Sequence, residues 1–267
     1  MKYVTVDDVA ILVHHRGPTT LPGTPPDLSS GATVLCLHDA GGNGHVFAGV
    51  LDALAADHSP LAHDQPGHGR SGGLDSLGVV EAMADNVRAV ADGLGVEHPV
   101  LLGEGMGAAV ALEVAMRAPG WPAALVLCGD TATSYDEGSA IEQLAAVVAG
   151  RARREFDTSG YAPDTARDVY QLAFAEWAKT DPRATLGDRR ALDAWEPGTR
   201  LGMVDCPVVV VCGEHTDGAG RAAAADLVER LLHARLVDLP AAGRRGVVEQ
   251  PAGLAGIVSG VASGVAS

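Results

Sequence analysis

Val100-Leu101-Leu102-Gly103-Glu104-Gly105-Met106-Gly107-Ala108-Ala109 is the stretch on which the reading of this chain turns. Residues 99–102 form an apolar run that reads as a buried strand, and a small-residue helix begins at Met106. The turn between them leaves no room for ordinary side chains. Strand, sharp turn, helix is the setting of a nucleophile elbow, G-x-S-x-G. Here the central position is Gly105, so the turn is present and the nucleophile is missing. Two other readings fit these ten residues alone. One is a plain tight turn; the other is a dinucleotide loop, since Gly103, Gly105 and Ala108 satisfy G-x-G-x-x-A.

Working outward, apolar strand runs alternate with amphipathic segments. Residues 2–6 and 9–16 read as a hairpin, 33–37 as a buried parallel strand, 45–57 as a helix and 59–63 as a short strand. A long helix is expected over 76–94, and a strand over 123–128. From 131 to 204 strand runs stop, and helical periodicity appears at 141–153, 166–179 and 189–195. The strand–helix rhythm resumes at 207–212, with a helix at 221–233, a strand at 235–239 and a last helix from Gln250. The pattern predicts an α/β fold: a doubly wound, mostly parallel sheet with an inserted helical cap. Residues 1–130 and 205–267 form the core domain and 131–204 the cap. Loops at the C-terminal ends of the strands should build the site.

Composition narrows the function classes. The 267 residues are 47% apolar, enough for a full core, while aromatics are only 4%. The net charge of −15 repels phosphate backbones, so nucleic acid is not an expected partner. The start, Met1-Lys2-Tyr3-Val4, has no secretory pattern. The apolar run 254–267 is shorter than the ~20 residues needed to span a bilayer. A cytoplasmic protein without a membrane partner is the expectation. Cys36, Cys128, Cys206 and Cys212 read as buried reduced thiols, with no C-x-x-C pair and no zinc spacing. No metal and no cofactor is expected.

The strand-end loops, taken together, resemble the α/β-hydrolase superfamily. His38-Asp39-Ala40-Gly41-Gly42 resembles the family's His-Gly oxyanion loop, with Asp39 in place of its first Gly. Residues 64–71, Asp-Gln-Pro-Gly-His-Gly-Arg-Ser, match its D-x-P-G-x-G-x-S turn. Gly103–Gly107 sits at the elbow, 131–204 at the cap, and Cys212-Gly213-Glu214 at the turn leading to the acid. Ala242-Gly243-Arg244-Arg245 matches the segment that normally carries the histidine. The order of motifs covers nearly the whole chain and sets the dinucleotide reading aside, because a Rossmann fingerprint usually opens its fold.

On this resemblance the triad fails twice. The nucleophile position is Gly105 and the histidine position is Arg244, which stays protonated and is no general base. Asp217, one residue later than the usual spacing, remains as the acid. Acyl-enzyme hydrolysis is therefore excluded on chemical grounds. Backbone N–H groups of Met106 and of the loop around Ala40 would still form an anion site, suited to an enolate or phenolate, with the Arg244 charge beside it.

Candidate catalytic residues are Arg244, Glu104, Asp217 and His45; candidate substrate contacts are Asp39, Ala40, Gly105, Met106 and Trp177. Glu104 precedes the missing nucleophile, and a carboxylate buried there would serve as acid or base, or pair with Arg244. His45 faces either the cavity or solvent. Asp39 lies beside the anion site or caps the next helix. His38 and His68 read as structural. Two functions follow from the resemblance. One is a non-hydrolytic enzyme performing C–C bond chemistry, cyclisation or cofactor-independent oxygenation on an apolar, aromatic or polyketide-like small molecule in a biosynthetic pathway. The other is an inactive relative that binds a small ligand or a protein. A homodimer is left open.

Overall fold

The computed structural model describes residues 1–18, 20–21, 23–129 and 138–265. Asp130 and the start of the expected cap, 131–137, lie outside the described residues. In chain order the elements are β1 (Lys2–Val6), β2 (Val9–His15), β3 (Thr33–Leu37), α1 (Ala48–Leu54), β4 (Ser59–His63), α2 (Val80–Leu94), β5 (Val100–Glu104), α3 (Met106–Arg117) and β6 (Ala124–Cys128). Helices α4 (Gly138–Val148), α5 (Arg167–Trp177) and α6 (Pro182–Ala194) follow. Then come β7 (Val208–Gly213), α7 (Gly218–Arg230), β8 (Ala234–Leu239), α8 (Gly246–Glu249) and α9 (Pro251–Val265).

The strands form one eight-stranded sheet in the order β1-β2-β4-β3-β5-β6-β7-β8. β1 and β2 are an antiparallel hairpin joined antiparallel to β4, and every other pairing is parallel. Side chains of a strand alternate between faces, and here the alternation divides the core in two. Leu35, Leu37, Leu101, Leu125 and Leu127 pack with α2 and α3 on one face. Val34, Cys36, Val100, Leu102 and Val126 pack with α1 and α9 on the other. Leu101 and Leu102 are both fully buried, and such burial contributes about 1.5–3 kcal/mol each. Strand β5 lies centrally, so the turn after it opens at the middle of the sheet's C-terminal edge.

The expected helix at 76–94 begins only at Val80, because Gly78 has a positive φ of 77° and Val79 is extended, both outside the helical region. The expected helix at 45–57 splits into a 3-10 turn, Gly44–Phe47, and α1, with Asn43 capping the turn. The third cap helix starts at Pro182 rather than 189, since Asp181 caps it with proline at its first position, a strong start signal. All four cysteines are buried and free. Among the described residues, no helix is long and apolar enough to cross a membrane. Nor is any group of three or more His, Cys, Asp or Glu arranged there to hold a metal ion.

Candidate functional site

Gly105 lies between β5 and α3 with φ 54° and ψ −114°, a conformation that L side chains rarely adopt. Its N–H donates to Cys128 O at 3.0 Å, which pins the turn to β6. Gly107 is needed for a different reason: any Cβ there would run into the Leu37 carbonyl of β3. The elbow backbone is thus built, and the space above Gly105 is filled. The Asp39 carboxylate occupies it, so a Cβ on residue 105 would overlap Asp39 Oδ1 and Cγ.

Asp39 Oδ1 accepts hydrogen bonds from the N–H of Ala40 at 2.7 Å and of Met106 at 2.9 Å. These are the two donors expected to receive a substrate oxyanion. Asp39 Oδ2 accepts from Arg245 Nη1 at 2.6 Å. Burial works to raise the pKa of this carboxyl, but the charges of Arg245 and Arg189 and the Met106 N–H outweigh it and hold the pKa at about 2. Near neutral pH Asp39 is an anion locked in the hole and a poor general base. The expectation of an open anion site is corrected: the protein's own carboxylate fills it. Asp39 does not cap the next helix; Asn43 does that.

The arginine at this floor is Arg245, not Arg244. Arg244 donates its backbone N–H to Gly160 O at 2.7 Å, and its side chain lies against Gly160. The cause is the start of α8. Arg245 is the N-cap residue of that helix and reaches Asp39, while the Arg244 side chain lies at Gly160. The loop is tied down by Glu249, which accepts from the N–H of Gly243 and Ala162 and from the Thr165 hydroxyl at 2.9, 2.6 and 2.7 Å. Asp217 is exposed and caps α7 by accepting from Gly220 N at 2.8 Å, so it does not line the cavity. His45 Nδ1 contacts Glu176 Oε1 at 2.9 Å, joining the core to α5, and is likewise off the cavity. Glu104 does line the cavity and is almost fully buried, with the Arg245 charge acting on it across the floor.

The cavity above Asp39 has a volume of about 580 Å³. Trp177, Phe156, Tyr161, Leu144 and Val147 supply its apolar lining, and Arg154, Arg189 and Arg245 reach it as well. Trp177 was identifiable as a cap aromatic; Phe156, Tyr161 and Arg154 come from a segment whose sequence has no periodicity. Burial pushes the Tyr161 hydroxyl up to about 12, which keeps it a donor.

A second group of buried ions holds the cap on this floor. Asp188 of α6 is fully buried and accepts from Gly41 N at 2.9 Å, the Ser76 hydroxyl at 2.6 Å and His68 Nε2 at 2.7 Å. The other nitrogen of His68, Nδ1, donates to Pro66 O at 2.9 Å. Both partners only accept, so His68 is the imidazolium. Burial disfavours that charge, but Asp188 more than compensates and raises the pKa. His38 is the reverse case. Its Nδ1 donates to Asp39 O at 2.9 Å and its Nε2 accepts from Gln65 N at 3.1 Å, so it is neutral. Burial and the neighbouring His68 lower its pKa to about 4.

Residues 34–257 match the model of the alpha/beta hydrolase family. A stretch of 94 residues is 32% identical to RutD of Rhizobium rhizogenes, covering 35% of this chain and about a third, 36%, of that protein. The magnesium-chelatase 30 kDa subunit of Rhodobacter capsulatus is 25% identical over 209 residues, 69% of this chain and 71% of that one. A thermophilic esterase from Thermogutta terrifontis superposes with a TM-score of 0.83 at 20% identity over 100% of both chains. The enol-lactonase of Burkholderia xenovorans LB400 does so with a TM-score of 0.81 at 18% identity, covering 98% of this chain and 99% of that one.

Proposed function

This chain belongs to the alpha/beta hydrolase family, and we propose that it uses the family's cavity to bind an apolar, aromatic small molecule without performing acyl-enzyme hydrolysis. The observation that carries the proposal is the Asp39 carboxylate over Gly105. An acyl transfer needs a nucleophile, a base and two donors free for the oxyanion. Here the nucleophile is absent, and the donors of Ala40 and Met106 are bound to Asp39. The carboxylate and the glycine fit only each other, because any side chain at 105 would displace Asp39. The cavity, meanwhile, has a volume in the range that holds drug-sized ligands. Family membership is compatible with this reading, since one relative is named as a chelatase subunit rather than as a hydrolase.

The test has two arms. Activated acyl esters should not turn over, and fluorophosphonates should not label the protein. Equilibrium binding of a neutral aromatic such as N-phenyl-1-naphthylamine should be saturable and weakened by Trp177→Ala. Stoichiometric labelling of a serine would refute the first arm, and an unchanged affinity in the tryptophan variant the second. A second reading, non-hydrolytic chemistry on an aromatic or polyketide-like substrate, has the support of one feature. Glu104 is a buried carboxylate on the cavity floor within the field of Arg245, near a Tyr161 hydroxyl that keeps its proton. Substrate turnover abolished by Glu104→Gln, with binding retained, would favour it.

A further inference from the structure

Closing the oxyanion hole with Asp39 moves the question of charge recognition elsewhere in the cavity. Arg245 is neutralised by Asp39 at 2.6 Å, and Arg189 also acts on that carboxylate. Arg154 is different. Among the described residues it has no carboxylate within 4 Å, although it lines the same cavity. Its guanidinium carbon lies over the Trp177 ring, 4.1 Å from the centroid. Nη1 donates to Thr180 O at 2.7 Å and Nη2 to Thr185 Oγ1 at 3.3 Å. Nε is buried and has no acceptor among the described residues. Arginine has five N–H donors in a rigid fork, so most of this fork's capacity is unspent. Burial lowers the pKa of Arg154, only partly offset by the more distant Asp181, which marks a cation short of a counter-charge. Thr185 accepts from Arg154, so its own hydroxyl hydrogen is left to donate.

We propose that Arg154, held by Trp177 and Thr185, is the anion-recognition subsite of this cavity, and that the ligand is a planar aromatic molecule bearing a carboxylate or sulfonate. The aromatic part lies among Phe156, Tyr161 and Trp177, and the acid group meets the Arg154 fork on the cap side. The floor, already holding Asp39 and Glu104, repels it. This subsite deepens the binding function proposed above and rests on it. It relocates the expected anion site from the elbow to the cap, where Arg154 has no carboxylate partner among the described residues.

The probes are 8-anilinonaphthalene-1-sulfonate and its uncharged counterpart N-phenyl-1-naphthylamine, titrated by fluorescence against the full chain. Trp177→Ala should weaken both and so place them in the cavity. Arg154→Gln should weaken the sulfonate by about tenfold or more, the loss of a charge-assisted hydrogen bond, and change the neutral probe less than about twofold. Arg154→Lys keeps the charge but not the fork, and should fall between. Unchanged circular dichroism shows that the cap has kept its helices; if Arg154→Gln unfolds it, the Lys variant carries the comparison. Equal losses of both probes, or a wild-type protein that binds only the neutral one, would overturn the subsite and leave the binding function standing. A wild-type protein that binds neither would overturn both.

Discussion

Gly105 and Asp39 are predicted to be energetically coupled, and a double-mutant cycle measures that coupling. Gly105→Ser places a side chain at φ 54°, ψ −114°, at a strain cost of ~1–3 kcal/mol. It also expels the Asp39 carboxylate from two backbone donors at 2.7 and 2.9 Å and from Arg245 at 2.6 Å. Hydrogen bonds to a charged group contribute ~1.5–3 kcal/mol each. The Arg245 side chain is 31% exposed, so water recovers part of that loss. Even with the Arg245 bond set aside, the single variant should therefore lose about 4 kcal/mol or more. In an Asp39→Gly background no carboxylate is left to expel, and serine at 105 should cost only the strain of ~1–3 kcal/mol. The double variant should thus be more stable than the sum of the singles by about 3 kcal/mol or more, the value of the two backbone hydrogen bonds. Urea unfolding of the four proteins, followed by circular dichroism, reads this directly. Additivity within about 0.5 kcal/mol would mean that Asp39 and residue 105 do not share the space, and the account of the closed oxyanion hole would fall.

The remaining predictions concern charge. Asp39 has a folded-state pKa of about 2 against an ordinary 3.8, so its contribution is present above pH 3.8 and lost as pH falls towards 2. That shift amounts to about 2 kcal/mol, and Asp39→Asn should flatten acid unfolding in that window. His68 has the opposite sign: its pKa is raised above 6.5, so its contribution is complete below pH 6.5 and lost as pH rises through the folded value. Stability measured from pH 6 upward should therefore decline in the wild type and not in His68→Gln. Asp188→Ala strands the buried His68 charge and frees Gly41 N, and should destabilise by ~3–5 kcal/mol in urea titrations. Limited proteolysis of that variant should cut within the cap first, and an unchanged digestion pattern would show that Asp188 does not hold the cap down.

Strand and helix order were legible because they depend on local periodicity and on turn residues, which neighbours along the chain determine. The alternation of β3 through β8 with helices was readable at 33–37, 59–63 and 207–212, and the resemblance followed from the order of turns. The absence of a nucleophile was equally a matter of sequence, since no packing supplies a hydroxyl to Gly105. The content of the space above Gly105 was not. Asp39 and Met106 are 67 positions apart, and their hydrogen bond exists only because β3 and β5 are paired. Whether Arg244 or Arg245 reached that carboxylate depended on where α8 begins, one residue's rotation that composition does not encode. Asp217 read as an acid by spacing, yet the same residue type is also the common cap of a helix, and only the fold showed which role its position allows. The cap side of the cavity was least legible of all. Arg154, Phe156 and Tyr161 lie in a non-periodic stretch whose side chains are aimed by long-range contacts with α5 and α6. A periodic pattern predicts which face an element buries, but a cavity is bounded by groups from several elements, and only tertiary structure brings them together.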